Sequence, residues 1–557
     1  MPASIAFVGA GPTTIYTVHA LVRRATMPIK LTIFEEQAVA GCGTPYRPGW
    51  NDPAMLSNIA SIELPPLGET LVDWLHDQPV DRLRELKIDT GEIDDRAFFP
   101  RLALGAYFRD RFEATIEQAR SQAVVVDIRT RCRVVDAASE DDGIRLSVRP
   151  EREEPFEALF DHVVLATGHQ WPEEPEVRPG YFLSPWPAKA LERVPATQVG
   201  IRGTSLTAID AAVALAVKHG AFEEEVNDSL VYRPNHDTED FHLTMMSRKG
   251  LLPEADFFHP IPYELLSICT GEAVEALIAD RPHDLLDRTF ALFKAELARS
   301  DPGYAANVDL DSLDLEHFCD RFFAERLAAD PFDWARGNLA EAKRNFERAF
   351  TVPWRYAILR MHEVVSLIVP HLDDQAFARF SRYWKPVFVD DYATVPHESI
   401  ERMLALHEAG RLELLELGED YSIDSHGSEA GAVLRINGRA LHFPVFIEAT
   451  GQRALDADDF PFQTLREQGI IRDAPSSGDA PSRGIVIDEM FRPVADDVPP
   501  DRLFCPTLPF ILGRHPFAQG ITSSHEMGEI VGARLATILA QPSDASVIRS
   551  GTEVECP

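Results

Sequence analysis

The stretch SIAFVGAGPTTIYTVHALVRR, residues 4–24, decides the fold. Ile5 to Val8 is a short apolar run of strand formers. It stops at Gly9, and from Thr13 the apolar spacing turns helical. KLTIFEE, residues 30–36, supplies a second strand after Pro28. Strand, glycine turn, helix and strand in this order make a β-α-β unit of a parallel sheet. Gly9 permits the tight turn, and Gly11 lets a pyrophosphate approach the backbone. Pro12 and Thr13 then open a helix whose free N–H groups and positive dipole end suit an anion. Thr14 stands where the usual fingerprint has Gly or Ala. Either the helix packs more loosely on its strand, or the hydroxyl faces phosphate. Glu35 ends the next strand, where a carboxylate accepts the hydroxyls of an adenosine ribose; Glu36 beside it is the alternative. The unit reads as a dinucleotide site.

A second unit begins at Gln198: QVGIRGTSLTAIDAAVALAVKHG. Its turn is Gly203-Thr204-Ser205-Leu206-Thr207, with Ser205, the smallest replacement, in place of the second glycine. The following strand ends in Ser247-Arg248-Lys249, with no carboxylate. A hydroxyl and two cations there suit the 2′-phosphate of NADPH, whereas an acid would suit NADH. Two ATG segments, Ala166-Thr167-Gly168 and Ala449-Thr450-Gly451, each follow an apolar strand and mark crossovers between nucleotide-binding units.

The remaining chain frames these units. At 557 residues, about three to four domain-sized units are expected. Lys plus Arg number 54 against 89 Asp plus Glu, a net charge of −35, which disfavours nucleic acid and anionic membrane surfaces as partners. Six cysteines without a CxxC pair exclude a disulfide scaffold and a zinc ribbon. No apolar run approaches the roughly 20 residues of a membrane span, and no signal peptide precedes Ser4, so a soluble, cytoplasmic protein is expected. Between 270 and 410 strand character disappears. Leu286, Phe290, Phe293 and Leu297 repeat at helical spacing, which predicts a helical insertion. Strand signals return at 412–416, 433–436, 443–449 and 502–505, and a last helix is expected from about Ser523 to Leu539.

The sequence resembles the FAD/NAD(P)-binding flavoproteins with two dinucleotide-binding domains, and within them the bacterial FAD-NAD(P)-binding family. The segments that carry the resemblance are GAGPTT at 9, IFEE at 33, GCGTPY at 41, MLSN at 55, DWL at 73, FFPRLALGAYF at 98, VVLATGH at 163, SPWP at 184, GTSLTAID at 203 and SRKGLLP at 247. It is more distantly similar to flavin N-hydroxylases and Baeyer–Villiger monooxygenases. The resemblance implies an α/β protein of two Rossmann-like domains with a helical insertion. The FAD domain would be built from 1–187 and 451–557, the NADPH domain from 188–269 and 411–450, and the insertion from 270–410. Gly9, Gly11, Pro12, Thr13, Thr14 and Glu35 would hold the ADP half of FAD, with Thr167 and Gly168 at the crossover beside it. Met55 to Asn58 would lie near the flavin ring, and Arg101 would reach towards FAD. Gly203 to Thr207 with Ser247 to Lys249 would hold NADPH. Residues 515–529 would form the final FAD loop and helix, including Gln519, Gly520 and Ser523, with Ser523-x-x-Glu526 as a capping box. The implied activity is NADPH-dependent oxygenation of a small molecule by O2 through a flavin peroxide, the catalytic residues unassigned. The alternatives are a flavin reductase and a non-catalytic flavin sensor. His259, His515, His525 and Asp256 flank the proposed cofactor loops as candidates for proton handling or substrate contact, and Trp354 and Trp384 as pocket or core residues.

Overall fold

The computed structural model describes residues 2–172, 174–225, 229–452, 454–475, 482–495, 501–518 and 520–541. A first sheet holds five parallel strands in the order Leu503–Phe504, His162–Leu165, Ala3–Val8, Ile29–Phe34, Val125–Arg129. Its central strand is apolar without alternation because both faces are covered: Ile5, Ala6 and Phe7 are fully buried. Helix Pro12–Arg24 follows the first strand, as the pattern of 4–24 requires.

The second sheet runs Leu412–Glu416, His242–Ser247, Gln198–Arg202, Val445–Glu448, Tyr181–Phe182, Glu176–Arg178. Its pairs are parallel except the last. The Pro-rich stretch 171–187 reads as a crossover between the two nucleotide-binding units, yet the chain already joins the second sheet within it. Tyr181 and Phe182 pair with Phe446 and Ile447 on one side and with Arg178 and Glu176 on the other, so this stretch contributes the last two strands, with Glu176–Arg178 at the edge. Pro175 and Pro179 flank these short strands and lie outside them, so no ladder bond is lost.

Between His242–Ser247 and Leu412–Glu416 lies a layer of helices running from Gly271 to Glu408. Phe290 and Phe293 pack edge-on against Trp384, with Phe318 and Phe388 around them. Trp384 is therefore a core residue, and Trp354 stacks on Tyr304 at 4.6 Å. Two three-stranded antiparallel sheets, within 132–160 and 421–443, and an antiparallel pair of Gly220–Glu224 with Leu230–Pro234 complete the architecture among the described residues. No helix among the described residues is long and apolar enough to cross a membrane.

The last helix, Gly520–Ala540, starts three residues before the expected cap. Ser523 and Glu526 lie inside it and do not form a capping box. Gly520, at φ +70°, makes the sharp entry, and the Ser524 hydroxyl bonds back to its carbonyl at 3.2 Å. This helix lies against Pro12–Arg24 through glycines. A Cβ on Gly528 would stand 2.6 Å from Tyr16 Cβ, and one on Gly532 would stand 2.6 Å from Ala20 Cβ and 2.7 Å from the Thr17 carbonyl oxygen. Gly532→Val should therefore force the helices apart and cost about 1–3 kcal/mol. Urea unfolding measures this, and a loss under about 0.5 kcal/mol would show that the contact yields freely.

Candidate functional site

The two glycine turns are built alike. Gly9, at φ +100°, donates its N–H to Phe34 O at 2.8 Å, and a Cβ there would lie 2.4 Å from Ala166 O. Gly203, at φ +137°, donates to Met246 O at 2.7 Å, and its Cβ would lie 2.3 Å from Ala449 O. Ala166 N–H in turn bonds Val8 O, and Ala449 N–H bonds Arg202 O. Each ATG segment is thus the wall against which its own turn is pressed. Neither following helix receives a side-chain cap at Gly11 or Ser205, so the first N–H groups remain open to an anion.

At the first turn, Thr14 is fully buried and its hydroxyl donates to Gly9 O at 2.6 Å. The hydroxyl braces the turn from within. Thr13 reaches the Ser524 hydroxyl at 3.2 Å, joining the turn to the last helix. The GCG segment lies across the turn: a Cβ on Gly43 would stand 2.7 Å from Pro12 Cδ. Of the two acids, Glu35 is the one brought to the turn. Its Oε2 accepts from Ala10 N–H at 3.1 Å and its Oε1 from Gln37 N–H at 2.9 Å, while Glu36 is exposed. Burial raises the Glu35 pKa above its ordinary value. Gly168, at φ +69°, has open space beside it, and Thr167 is half-buried. Gly520 and the buried Ser523 lie in the last helix; Gln519 falls outside the described residues.

At the second turn, Thr204 donates to the Ser247 hydroxyl at 3.0 Å, which also accepts Gly250 N–H at 3.1 Å. Ser205 is exposed, while Leu206 and Thr207 are half-buried. Ser247, Arg248 and Lys249 do not act as one basic group. Lys249 turns into the helical layer, its Nζ 3.1 Å from the Phe323 ring centre, and burial pulls its pKa down to about 8. Arg248 is exposed, and its side chain makes no hydrogen bond or ion pair among the described residues.

Met55 is buried in the core of the second sheet, and its carbonyl accepts Arg101 N–H at 3.0 Å; Asn58 is exposed. Arg101 Nε donates to Leu56 O at 3.1 Å. Its Nη2 stands 2.6 Å from Asp210 Oδ2 on helix Leu206–His219. The Arg101 charge is thus spent on a buried ion pair between the segment 55–58 and the second turn's helix. Burial pushes Asp210 up to about 6.

His259 is buried, and burial pulls its pKa down to about 4; its Nε2 is 3.8 Å from Glu63 Oε1. Burial, with Glu63 nearby, pushes Asp256 up to about 7, and Thr394 donates to it at 3.1 Å. Burial likewise pulls His515 to about 4, and its Nε2 has no hydrogen-bond partner among the described residues. His525 lies edge-on to Tyr16 at 5.0 Å. Sequence reasoning missed Glu63 and Asp210. Asp210 stood within the quoted GTSLTAID, but its partner is 109 positions earlier, beyond the reach of spacing rules. Phe517, in the loop before the last helix, is clasped by Phe388, His362 and Tyr392 at 5.3, 5.7 and 5.9 Å. The helical layer thereby closes on that loop.

Two glycine cradles that a Cβ would fill, open helix starts and a half-buried acid at the first turn fit two dinucleotides. Residues 6–170 match the FAD-NAD(P)-binding family, and residues 270–392 match the YdhS-like middle domain. The protein YdhS of Escherichia coli K12 is 42% identical over 528 residues, covering 94% of this chain and 96% of YdhS. The chain belongs to the YdhS-like family of FAD-NAD(P)-binding proteins. FAD and a nicotinamide dinucleotide are its cofactor class. Among solved structures, the FAD-bound cadaverine monooxygenase DfoA of Erwinia amylovora superposes with a TM-score of 0.50 at 11% identity, each chain covered fully. The ornithine N-hydroxylase of Kutzneria sp. 744 gives 0.49 at 13% identity, covering 97% of this chain and 100% of that one. The YdhS-like chain thus shares the two-Rossmann architecture of flavin monooxygenases.

Proposed function

We propose that the protein is an NADPH-dependent flavin monooxygenase acting on a small molecule. The observation that carries this reading is the duplicated turn, Gly9 on Ala166 and Gly203 on Ala449, which offers two dinucleotide cradles in one chain. FAD seated at the first turn would supply the redox chemistry with O2. The chain's own part is binding, orientation and exclusion of water. Gly9 to Thr14 and Glu35 hold the ADP half of FAD, and the open helix start takes the pyrophosphate. Gly203 to Thr207 hold the nicotinamide dinucleotide. Arg248, exposed and without a hydrogen-bond or ion-pair partner among the described residues, meets the 2′-phosphate, while Ser247 braces the turn through Thr204. The helical layer, clasping Phe517, covers the flavin end and keeps water out. Burial holds His259 and His515 neutral at pH 7, which suits them to hydrogen-bond as uncharged rings and opposes proton uptake.

The purified protein should be yellow or become so with added FAD. NADPH should bleach it without air faster than NADH does. Re-oxidation by air should be much slower than that of free reduced flavin. Instant re-oxidation with one H2O2 per NADPH would favour a reductase, and failure of NADPH to bleach a yellow protein would favour a sensor. Arg248→Ala should raise the KM for NADPH about tenfold or more and leave that for NADH nearly unchanged, because a charge-assisted phosphate contact contributes about 1.5–3 kcal/mol. Steady-state kinetics with both coenzymes checks this; equal changes would reject Arg248 as the phosphate contact.

A further inference from the structure

The segment Gly41-Cys42-Gly43-Thr44-Pro45-Tyr46-Arg47 is fastened over the first glycine turn. Gly41 donates its N–H to Ala10 O at 3.0 Å. A Cβ on Gly11 would stand 3.3 Å from Gly43 Cα, so the two backbones touch. After the short helical turn Thr44–Tyr46, the Tyr46 carbonyl is pressed on helix Arg101–Ser121, where a Cβ on Gly105 would lie 2.0 Å from its oxygen. Asn51 Nδ2 donates to Pro45 O at 2.6 Å. The chain therefore arrives at Arg47 with little freedom. Arg47 is half-buried, and its Cζ lies 4.5 Å from the centre of the Trp50 ring. Its guanidinium makes no hydrogen bond or ion pair among the described residues. Burial lowers its pKa, and Glu36 and Glu35 act on it from beyond ion-pair distance. Neither acid depends on it for a partner. Glu36 has the Gln37 amide at 3.1 Å and Arg133 at 3.9 Å, and Glu35 accepts the Ala10 and Gln37 N–H groups. The other candidate cations are engaged: Arg101 with Asp210, and Arg109, which also acts on Cys42, with Glu113 at 3.3 Å.

We propose that Arg47 is the cation of the first cradle and makes a charge contact with a phosphate of the ADP half of FAD. The charge balance of the cradle calls for one. A helix start offsets only about half a negative charge, and the pyrophosphate of FAD brings about two. Glu35 adds a carboxylate beside it. A partly desolvated guanidinium that lacks an anionic partner gains most when an anion arrives. The inference rests on the reading of the first turn as the FAD site and adds to it a residue from outside the glycine turn. Arg47 is a binding residue and takes no part in electron transfer.

Flavin fluorescence follows FAD binding to the full chain. ADP is titrated as a competitor that displaces FAD, so the second turn does not enter the reading. The same titrations are made on Arg47→Gln, which removes the charge, on Arg47→Lys, which keeps it, and on Arg109→Gln as a control. Urea unfolding of the ligand-free proteins is measured alongside. Arg47→Gln should weaken FAD and ADP alike by about tenfold or more. Arg47→Lys should recover most of that loss, because a charge contact needs the cation and not the planar group. Arg109→Gln should bind both ligands as the wild type does. The ligand-free urea midpoints should shift little, since the Arg47 side chain holds no protein group by a hydrogen bond. The proposal is overturned if Arg47→Gln binds FAD as the wild type does, or if FAD weakens while ADP does not. It is also overturned if Arg47→Lys is as weak as Arg47→Gln, if Arg109→Gln is equally weak, or if the lost affinity comes with a matching loss of ligand-free stability. A wild type that binds no FAD, or whose FAD is not displaced by ADP, overturns the reading of the first turn itself, before any variant is made.

Discussion

Gly9→Ala should yield a protein that purifies without flavin and unfolds about 2–5 kcal/mol more easily than the wild type. Two effects add. At φ +100° an L side chain meets the following carbonyl, which costs about 1–2 kcal/mol. The new methyl also stands 2.4 Å from Ala166 O, a backbone atom pinned to the neighbouring strand through Ala166 N–H on Val8 O. It cannot rotate away as a flexible side chain would, so overpacking adds about 1–3 kcal/mol. The sum is a large share of the roughly 5–15 kcal/mol that holds a typical domain folded. Any relief must come from moving the turn itself, and that displaces the N–H groups offered to pyrophosphate. Gly203→Ala is the internal control. It meets the same obstacle, Ala449 O at 2.3 Å, but in the second cradle. It should keep the yellow colour, lose flavin bleaching by NADPH, and show a comparable loss of stability in urea. A Gly9→Ala protein that retains flavin at the wild-type ratio of visible to ultraviolet absorbance would show that the first turn does not hold it.

The duplicated turns were legible because glycine is the residue that such a turn requires, and because strand and helix periodicities change abruptly around it. The paired ATG segments were legible as a repetition, but their purpose was not. Only the register of the strands brings Ala166 to Gly9 and Ala449 to Gly203. The helical layer declared itself through Phe290 and Phe293 at helical spacing. Three features were hidden for physical reasons. Tyr181–Phe182 is a two-residue strand among prolines, too short to leave a periodic trace. Lys249 carries the charge expected of a phosphate contact, but its ammonium lies over Phe323, an aromatic 74 positions away that favours a cation above its face. The last helix begins early because Gly520 adopts a left-handed turn, which competes with the capping-box pattern of Ser523 and Glu526.

Breaking the Arg101–Asp210 pair should produce a stability loss that depends on pH. The side chains are 13% and 8% exposed, so water does little to screen them. Burial holds Asp210 at about 6, above its ordinary 3.8, even with Arg101 beside it. Between pH 4 and 6 the unfolded chain releases this proton while the folded chain keeps it. The contribution of Asp210 therefore falls as pH rises, by about 1.4 kcal/mol per pH unit and about 3 kcal/mol over the window. Asp210→Asn does not titrate. The stability of the wild type minus that of this variant should decline from pH 4 to 6 and then level off. Arg101→Met removes the cation that restrains the Asp210 pKa, so the window extends upward. At pH 8 an ionised Asp210 is left buried and uncompensated, or is forced to keep its proton, and the loss should reach about 3–5 kcal/mol. At pH 5 Asp210 is neutral in either protein and the loss should be clearly smaller. Because Arg101 also holds the Leu56 carbonyl, the segment 55–58 loosens at both pH values, which adds a constant part to the loss. Urea unfolding at pH 5 and pH 8 separates the two parts. Equal losses at the two pH values would mean that Arg101 acts only through that carbonyl, and that the charge on Asp210 is compensated from elsewhere, with Arg402 the other cation acting on it.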